Sequence, residues 1–173
     1  MRVLVLLLIL AGVGAYYWKD RREISETKIS RYVRAHVDAM QRKDAEALCN
    51  QLAPDFQGNY LRVAGGSLQA QQIDRKQSCQ NLQEFFDLKI SMDRTLPAGS
   101  EYAVDYSINV DRIDISADKK QATVQTRSRL NLANLMTVDS TTTDTLRMLD
   151  GAVVMQASEG RVRVSGAAIG ARP

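Results

Sequence analysis

The chain changes its hydrophobic period near residue 90, and this change limits the folds that are open to it. Before that point apolar residues recur at helical spacing, and after it they alternate with polar residues as they do in half-buried strands. Helices first and then long strands predict an α+β domain, with the helices packed on an antiparallel sheet. A chain of 173 residues is long enough for one such domain and an appendage.

Two helices are predicted at the start of this domain. Residues 24–43 place one continuous apolar stripe along a helix, formed by Ile29, Tyr32, Val33, His36, Val37 and Met40. Asp44 is predicted to be the N-cap of a second, short helix, because a short acidic side chain there accepts from the first free N–H groups. Pro54 is expected to end this helix.

A polar segment and a third helix follow. Residues 53–73, with Gly65-Gly66 near their centre, are too long for an ordinary connection. We therefore expect them to carry a short strand or to cover a pocket. Asp74 is predicted to cap the third helix, which we expect to end at Phe85-Phe86.

The second half of the chain is predicted to form a meander of strands. Residues 102–110 alternate apolar and polar side chains, and the apolar parity shifts near Asp111–Arg112, which predicts a β-bulge. Residues 121–130 alternate in the same way, with Arg127 and Arg129 on the polar face. We expect the polar face of the earlier strand to point outward; it carries Asp105, Asn109 and Asp111.

The last third of the chain carries one polar strand and two hairpin signals. Residues 136–149 have strand propensity but polar side chains on both faces, which predicts an exposed strand or an edge strand. Within them the threonine-rich residues 141–145 are interpreted as a solvated or sheet-pairing surface, with a partner-binding face as the alternative. Asp150-Gly151 and Glu159-Gly160 are hairpin signals on either side of one further strand.

The N-terminal segment, residues 3–18, contains no charge and is rich in Leu, Val and Ile. As a helix it would be about 24 Å long, short against a hydrocarbon core of about 30 Å. We predict an uncleaved membrane anchor, and its interface residues are Tyr16, Tyr17, Trp18, Lys19, Arg21 and Arg22. The alternative is a signal peptide cleaved after residue 15, since the small residues "VGA" precede Tyr16.

Charge bears on orientation and on partners. Cations are denser after the apolar segment than before it, which by the positive-inside rule favours a cytoplasmic domain. A disulfide would instead favour the periplasm.

The charge balance of the remaining domain bears on its partners. Once the four cations and two acidic residues of 1–23 are set aside, the domain contains 19 Lys and Arg and 18 Asp and Glu. No basic cluster interleaves with aromatic residues, so we expect no nucleic-acid partner.

Motifs for metal or cofactor chemistry are absent from the sequence. There is no HExxH, no phosphate-binding glycine loop, no GxSxG and no EF-hand loop. Two cysteines about thirty residues apart lack the further ligands of a usual metal site. We therefore expect no metal and no cofactor.

Four predicted features together resemble the nuclear transport factor 2-like (SnoaL-like) superfamily. They are the long helix 24–43, the short "DAEALCNQLAPDF" helix, the third helix ending in Phe85-Phe86 and the closing "EGRVRVSG" hairpin. The resemblance covers about residues 24–168. It implies a cone of about three helices packed on a curved antiparallel sheet, with a pocket at the mouth. Residues 1–23 are then an anchor with a basic flank, and residues 169–173 form a C-terminal tail.

Within that architecture the two cysteines and the single histidine gain possible roles. Cys49 and Cys79 lie on the second and third helices and face inward, and with a signal-like N-terminus we predict a disulfide between them. Two buried, reduced thiols are the alternative. His36 is interpreted as a histidine of the core or pocket rim, with general acid–base catalysis as the alternative. The candidate pocket residues are Tyr32, His36, Tyr60 and Tyr106.

Two functions follow from these observations. The first is a non-catalytic interaction or scaffold domain of the bacterial cell envelope, anchored in the inner membrane by residues 3–18 and facing the periplasm. It would form homo-oligomers or bind an envelope protein. The second is a pocket protein that binds a small apolar ligand or acts as an isomerase or dehydratase, using His36 and Tyr32. No paired carboxylates are expected to project inward, which favours the first.

Overall fold

The computed structural model describes residues 22–95, 104–132 and 136–166. The predicted anchor therefore lies outside the described residues, as do the tail 169–173 and Tyr102 at the start of a predicted strand. Of the predicted interface residues only Arg22 is described, and it is exposed. Within the described part of the chain, no helix is long and apolar enough to cross a membrane.

Three helices are described, and each begins at a residue suited to cap it. Helix α1 is Glu26–Arg42, α2 is Ala45–Asn50 and α3 is Arg75–Asp93. Asp44 accepts from the Ala47 N–H at 2.9 Å, as predicted for the start of α2. Asp74 and Gln77 form a capping box at the start of α3, which satisfies two free N–H groups reciprocally.

Two helix ends differ from the predictions. Helix α2 ends at Asn50, and Pro54 lies in the following strand instead of ending the helix. Helix α3 continues past Phe85-Phe86 to Asp93. In this extension Lys89 is buried, and its ammonium pairs with Asp93 one turn later. Because a charged residue occupies this buried position, the apolar stripe that would have predicted the longer helix is interrupted in the sequence.

The described strands form one sheet in the order β2-β1-β6-β5-β4-β3. Their bounds are β1 Leu52–Ala64, β2 Ser67–Asp74, β3 Val104–Ile115, β4 Gln121–Leu132, β5 Met136–Leu149 and β6 Ala152–Gly166. Neighbouring strands are antiparallel except β1 and β6, which are parallel. The predicted bulge in β3 is confirmed, since its register with β4 shifts between Val110 and Arg112.

Residues 53–73, predicted as a loose segment with at most a short strand, instead form most of the β1–β2 hairpin. Gly65 and Gly66 both have positive φ, +55° and +82°, as a two-residue type I′ turn requires. The hairpin places Tyr60 opposite Gln71 on β2 and opposite Gly160 on β6. The segment predicted to be a long loop therefore forms the hairpin at one edge of the sheet.

Two predictions about the last strands are wrong. Strand β5 is not an edge strand, because β4 and β6 pair with it on both sides; it is exposed only at Thr141 and Thr143 and buries Asp144 and Leu146. Glu159-Gly160 is not a turn but lies inside β6, which runs unbroken from Ala152 to Gly166. The Asp150-Gly151 hairpin is confirmed, with φ of +50° and +85° at its two residues.

The helices cover the concave face of the sheet through two apolar clusters. One joins Ile24, Ile29 and Tyr32 to the ends of β4 and β5. The other packs Met40 of α1 against Leu48 of α2 and Phe86 of α3. Between the helices and the sheet an open cavity remains.

Candidate functional site

The cavity has a volume of about 410 Å³ and is lined mostly by apolar side chains. Helices α1, α2 and α3 form one wall, and the inward side chains of the sheet form the other. The structure brings all four candidate pocket residues to this cavity; they are Tyr32, His36, Tyr60 and Tyr106. A site of this size and composition suits a small organic ligand.

A carboxyl group that the sequence analysis did not single out lies in the cavity wall. Asp144 projects inward from β5 and is only 6% exposed. Ser158 Oγ donates to its Oδ1 at 2.6 Å, and Oδ2 lies 3.1 Å from Thr142 Oγ1 and 3.3 Å from Thr126 Oγ1. Burial raises the pKa of Asp144, and the three hydroxyls oppose that shift by stabilising the carboxylate.

Strand pairing explains this cluster. Asp144 lies directly opposite Ser158 of β6, and Thr142 lies opposite Thr126 of β4. Because alternate residues of a strand share a face, Ser140, Thr142 and Asp144 all point into the cavity. The residues 141–145, interpreted from sequence as a solvated or sheet-pairing surface, do pair with β4 and β6, and they contribute two of these three inward side chains while Thr141 and Thr143 are exposed.

His36 projects from α1 into the same cavity. Its Nδ1 lies 2.8 Å from Oε1 of Gln51, and since an amide oxygen only accepts, Nδ1 carries the proton. In the neutral ring Nε2 is then a free base. Burial lowers the pKa of His36, while the hydrogen bond with Gln51 and the charge of Asp144 act to raise it.

Tyr32 is buried and Tyr60 and Tyr106 are half-buried, and all three phenols stay protonated at neutral pH. Burial raises the pKa of Tyr106 to about 12 and also raises the pKa of Tyr32 and of Tyr60. Hydrogen bonds with Ser128 and Ser158 partly oppose the shifts at Tyr106 and Tyr60. The His36 ring lies between two of these phenols, with centroid distances of 6.5 Å to Tyr32 and 5.9 Å to Tyr106.

A glycine makes room for the third tyrosine. A Cβ at Gly58 would lie 2.6 Å from Cε2 of Tyr60 and 2.9 Å from Cγ1 of Ile73. The Tyr60 ring thus folds back over a position that has no side chain. Gly58 gave no signal in the sequence analysis, because the close approach depends on how Tyr60 is oriented in the folded sheet.

The predicted disulfide between Cys49 and Cys79 is confirmed, with the two Cα atoms 5.4 Å apart. It joins α2 to the first turn of α3, directly behind the cavity wall to which Leu48 and Ser78 contribute. Arg75 at the start of α3 adds a second tie to α2 and one to β1, since its guanidinium donates to the carbonyls of Cys49 and Leu52 at 3.3 Å each.

The polar residues predicted to point outward do so. Asp105, Asn109 and Asp111 are exposed, and Asp111 pairs with Arg127 across the outer face at 2.6 Å. Arg129 pairs there with Asp139.

The charges that line the cavity limit its ligands. Among the described residues no Lys or Arg lines it, so Asp144 and His36 are its ionisable groups apart from the phenols. In the same part of the chain no three His, Cys, Asp or Glu side chains gather to hold a metal ion. The described cavity therefore offers no cation to neutralise an anionic ligand.

Comparisons with known proteins address the fold. No family model matches the chain, and no curated protein matches it either. Among solved structures, a protein from Novosphingobium aromaticivorans provisionally named a scytalone dehydratase is 13% identical, with a TM-score of 0.58 over 83% of this chain and 88% of that one. An NTF-2-like protein of unknown function from Shewanella oneidensis is also 13% identical, with a TM-score of 0.56 over 78% and 97%.

A third solved structure, a domain of unknown function with a cystatin-like fold from Nostoc punctiforme, is 14% identical, with a TM-score of 0.51 over 80% of this chain and 78% of that one. At these identities the likeness concerns the fold and not the chemistry. The fold of this chain is that of the nuclear transport factor 2-like proteins.

Proposed function

We propose that this domain binds a small, uncharged, largely apolar molecule in its cavity and moves a proton on it, as an isomerase or a dehydratase does. The observation that carries the proposal is that Asp144 and His36 line the same largely apolar cavity, close enough for the charge of one to affect the pKa of the other. Burial raises the pKa of the carboxyl toward the neutral range and lowers that of the imidazole below its ordinary value of 6.5, so the His36 ring is uncharged at neutral pH and can act as a base. A filled cone would have favoured the interaction role instead.

Each group has a distinct task in this proposal. His36 Nε2 removes a proton from carbon, which leaves an imidazolium beside the negative charge of Asp144. Tyr32 donates a hydrogen bond to the substrate oxygen on which negative charge develops. The imidazolium then returns the proton to another carbon, completing an isomerisation, or to a departing hydroxyl group, which leaves as water.

The test is the exchange of protons next to the carbonyl of small neutral cyclic ketones in D₂O, followed by NMR with the full chain in mild detergent. We expect enzyme-dependent exchange that falls at least about a hundredfold in His36→Gln, the lower end of general acid–base contributions. Asp144→Asn should also slow it, and the matched control Asp139→Asn should not, because Asp139 pairs with Arg129 outside the cavity. Exchange that is unchanged in His36→Gln would contradict the proposal.

We also propose that the domain works outside the cytoplasm, held to the membrane by residues 3–18. The disulfide supports this location, because such bonds persist in oxidising compartments. The intact mass of protein extracted from membranes without reductant tests it. A full-length mass without alkylatable thiols is expected, whereas two free thiols would place the domain in the cytoplasm.

A further inference from the structure

Two hydroxyl groups in the cavity wall are buried without a hydrogen-bond partner. They are Oη of Tyr32, on α1, and Oγ of Ser78, on α3; their residues are 9% and 8% exposed. Both residues line the cavity. A hydroxyl removed from water normally finds a partner, so a pair of orphans in one cavity calls for a physical reason.

The orphans stand out against the other hydroxyls of the same cavity. The Oγ1 atoms of Thr126 and Thr142 lie 2.9 Å apart, and the Oγ atoms of Ser128 and Ser140 lie 2.6 Å apart. Each of these two pairs therefore forms a hydrogen bond between hydroxyls on neighbouring strands. Ser158 donates to the carboxylate described above. The sheet wall is thus internally bonded, and the free donors come from the helix wall.

The two orphans belong to separate regions of that wall. Tyr32 packs with Val124 and Leu146 in the cluster at one end of the sheet. Ser78 lies in the first turns of α3, where the capping box and the neighbouring Cys79 bridge hold the backbone. The two hydroxyls thus reach the cavity from different helices, α1 and α3, each of which packs against α2.

We infer that the ligand is an uncharged molecule with hydrogen-bonding oxygens at two ends of an apolar body, one bonded to Tyr32 and the other to Ser78. This rests on the proposed function in taking the cavity as the binding site. The charges argue against an anion, because no Lys or Arg of the described chain lines the cavity. The cavity of about 410 Å³ has room for a two-ring molecule.

A graded set of probes tests the inference by fluorescence titration of the full chain. The set is naphthalene, a naphthol, a naphthalenediol with its hydroxyls on opposite rings, a naphthoate anion and a naphthylmethylammonium cation. We expect each added hydroxyl to tighten binding about three- to tenfold, as one neutral hydrogen bond would. Tyr32→Phe should remove one of these gains and Ser78→Ala the other, while Ser30→Ala, on the exposed face of α1, should change neither.

Both variants should stay folded, because each deletes a hydroxyl that has no partner in the described protein. If naphthol binds but the diol gains nothing, or if Ser78→Ala weakens naphthalene as much as the diol, the inference is wrong and the pocket function stands. Tighter binding of the ammonium or the carboxylate than of the diol would also overturn it. If no probe binds, the proposed function fails together with the inference.

Discussion

Removal of the Cys49–Cys79 bridge should destabilise the domain without dismantling its cavity. The bridge closes a loop with a sequence separation of 30 residues. In the folded protein the same junction keeps other ties, namely the two hydrogen bonds of Arg75 and the capping box at Asp74. The main effect of the bridge therefore falls on the unfolded chain, whose conformational freedom it limits.

The magnitude follows from the loop length. The chain-entropy relation for this separation corresponds to about 3.7 kcal/mol in the free energy of unfolding at 25 °C. For a domain of this size each kcal/mol shifts the melting temperature by about 2–4 °C, so we expect a drop of roughly 10 °C. The assay is thermal unfolding by circular dichroism, comparing oxidised wild type with the Cys49→Ser/Cys79→Ser variant.

The reduced wild type is the matched control. Its melting temperature should equal that of the double serine variant, and reductant should not change the melting temperature of that variant. The fluorescent naphthol should still bind both proteins at temperatures below the unfolding transition. A drop of less than about 3 °C would refute the entropic reasoning. Loss of naphthol binding at temperatures where the reduced protein is folded would refute the claim that Arg75 and the capping box suffice to hold the wall.

Other substitutions test the sheet wall. Gly58→Ala should cost about 1–3 kcal/mol in the free energy of unfolding and displace the Tyr60 ring, because the new Cβ would lie 2.6 Å from it. In a Tyr60→Ala background the same substitution should cost less, which urea unfolding of the two single variants and the double variant would measure. Gly160→Ala should cost more, since its Cβ would lie 2.2 Å from the backbone oxygen of Thr141, which cannot swing away. Urea unfolding of Asp144→Asn between about pH 4 and pH 8 tests the buried carboxyl. Because the pKa of Asp144 is raised on folding, the native state binds more protons and wild type loses stability as pH rises above the ordinary aspartate pKa of 3.8. The free energy of unfolding of the variant should therefore rise relative to that of wild type as pH increases. A difference between the two free energies that does not change with pH would contradict the raised pKa of Asp144.

Features that depend on a few neighbouring residues could be predicted from the sequence. The stripe of α1, the caps at Asp44 and Asp74 and the Asp150-Gly151 turn each express backbone geometry within a single turn or helix face. The disulfide was predicted from the two inward-facing cysteines together with the signal-like N-terminus, since the placement of the cysteines alone left two reduced thiols equally open.

The tertiary structure decided what long-range pairing controls. Strand β5 has polar residues on both faces, and its own sequence does not tell which face is covered; pairing with β4 and β6 puts Asp144 inside. Glu159-Gly160 has the composition of a turn, but β6 continues through it because β1 and β5 pair with it on both sides. The sequence by itself determined the existence of the three helices, the starts of α2 and α3 and the Asp150-Gly151 turn, which depend on local contacts. The site required the folded sheet, since His36 and Asp144 are more than a hundred residues apart along the chain and meet only when the helices close over the concave face.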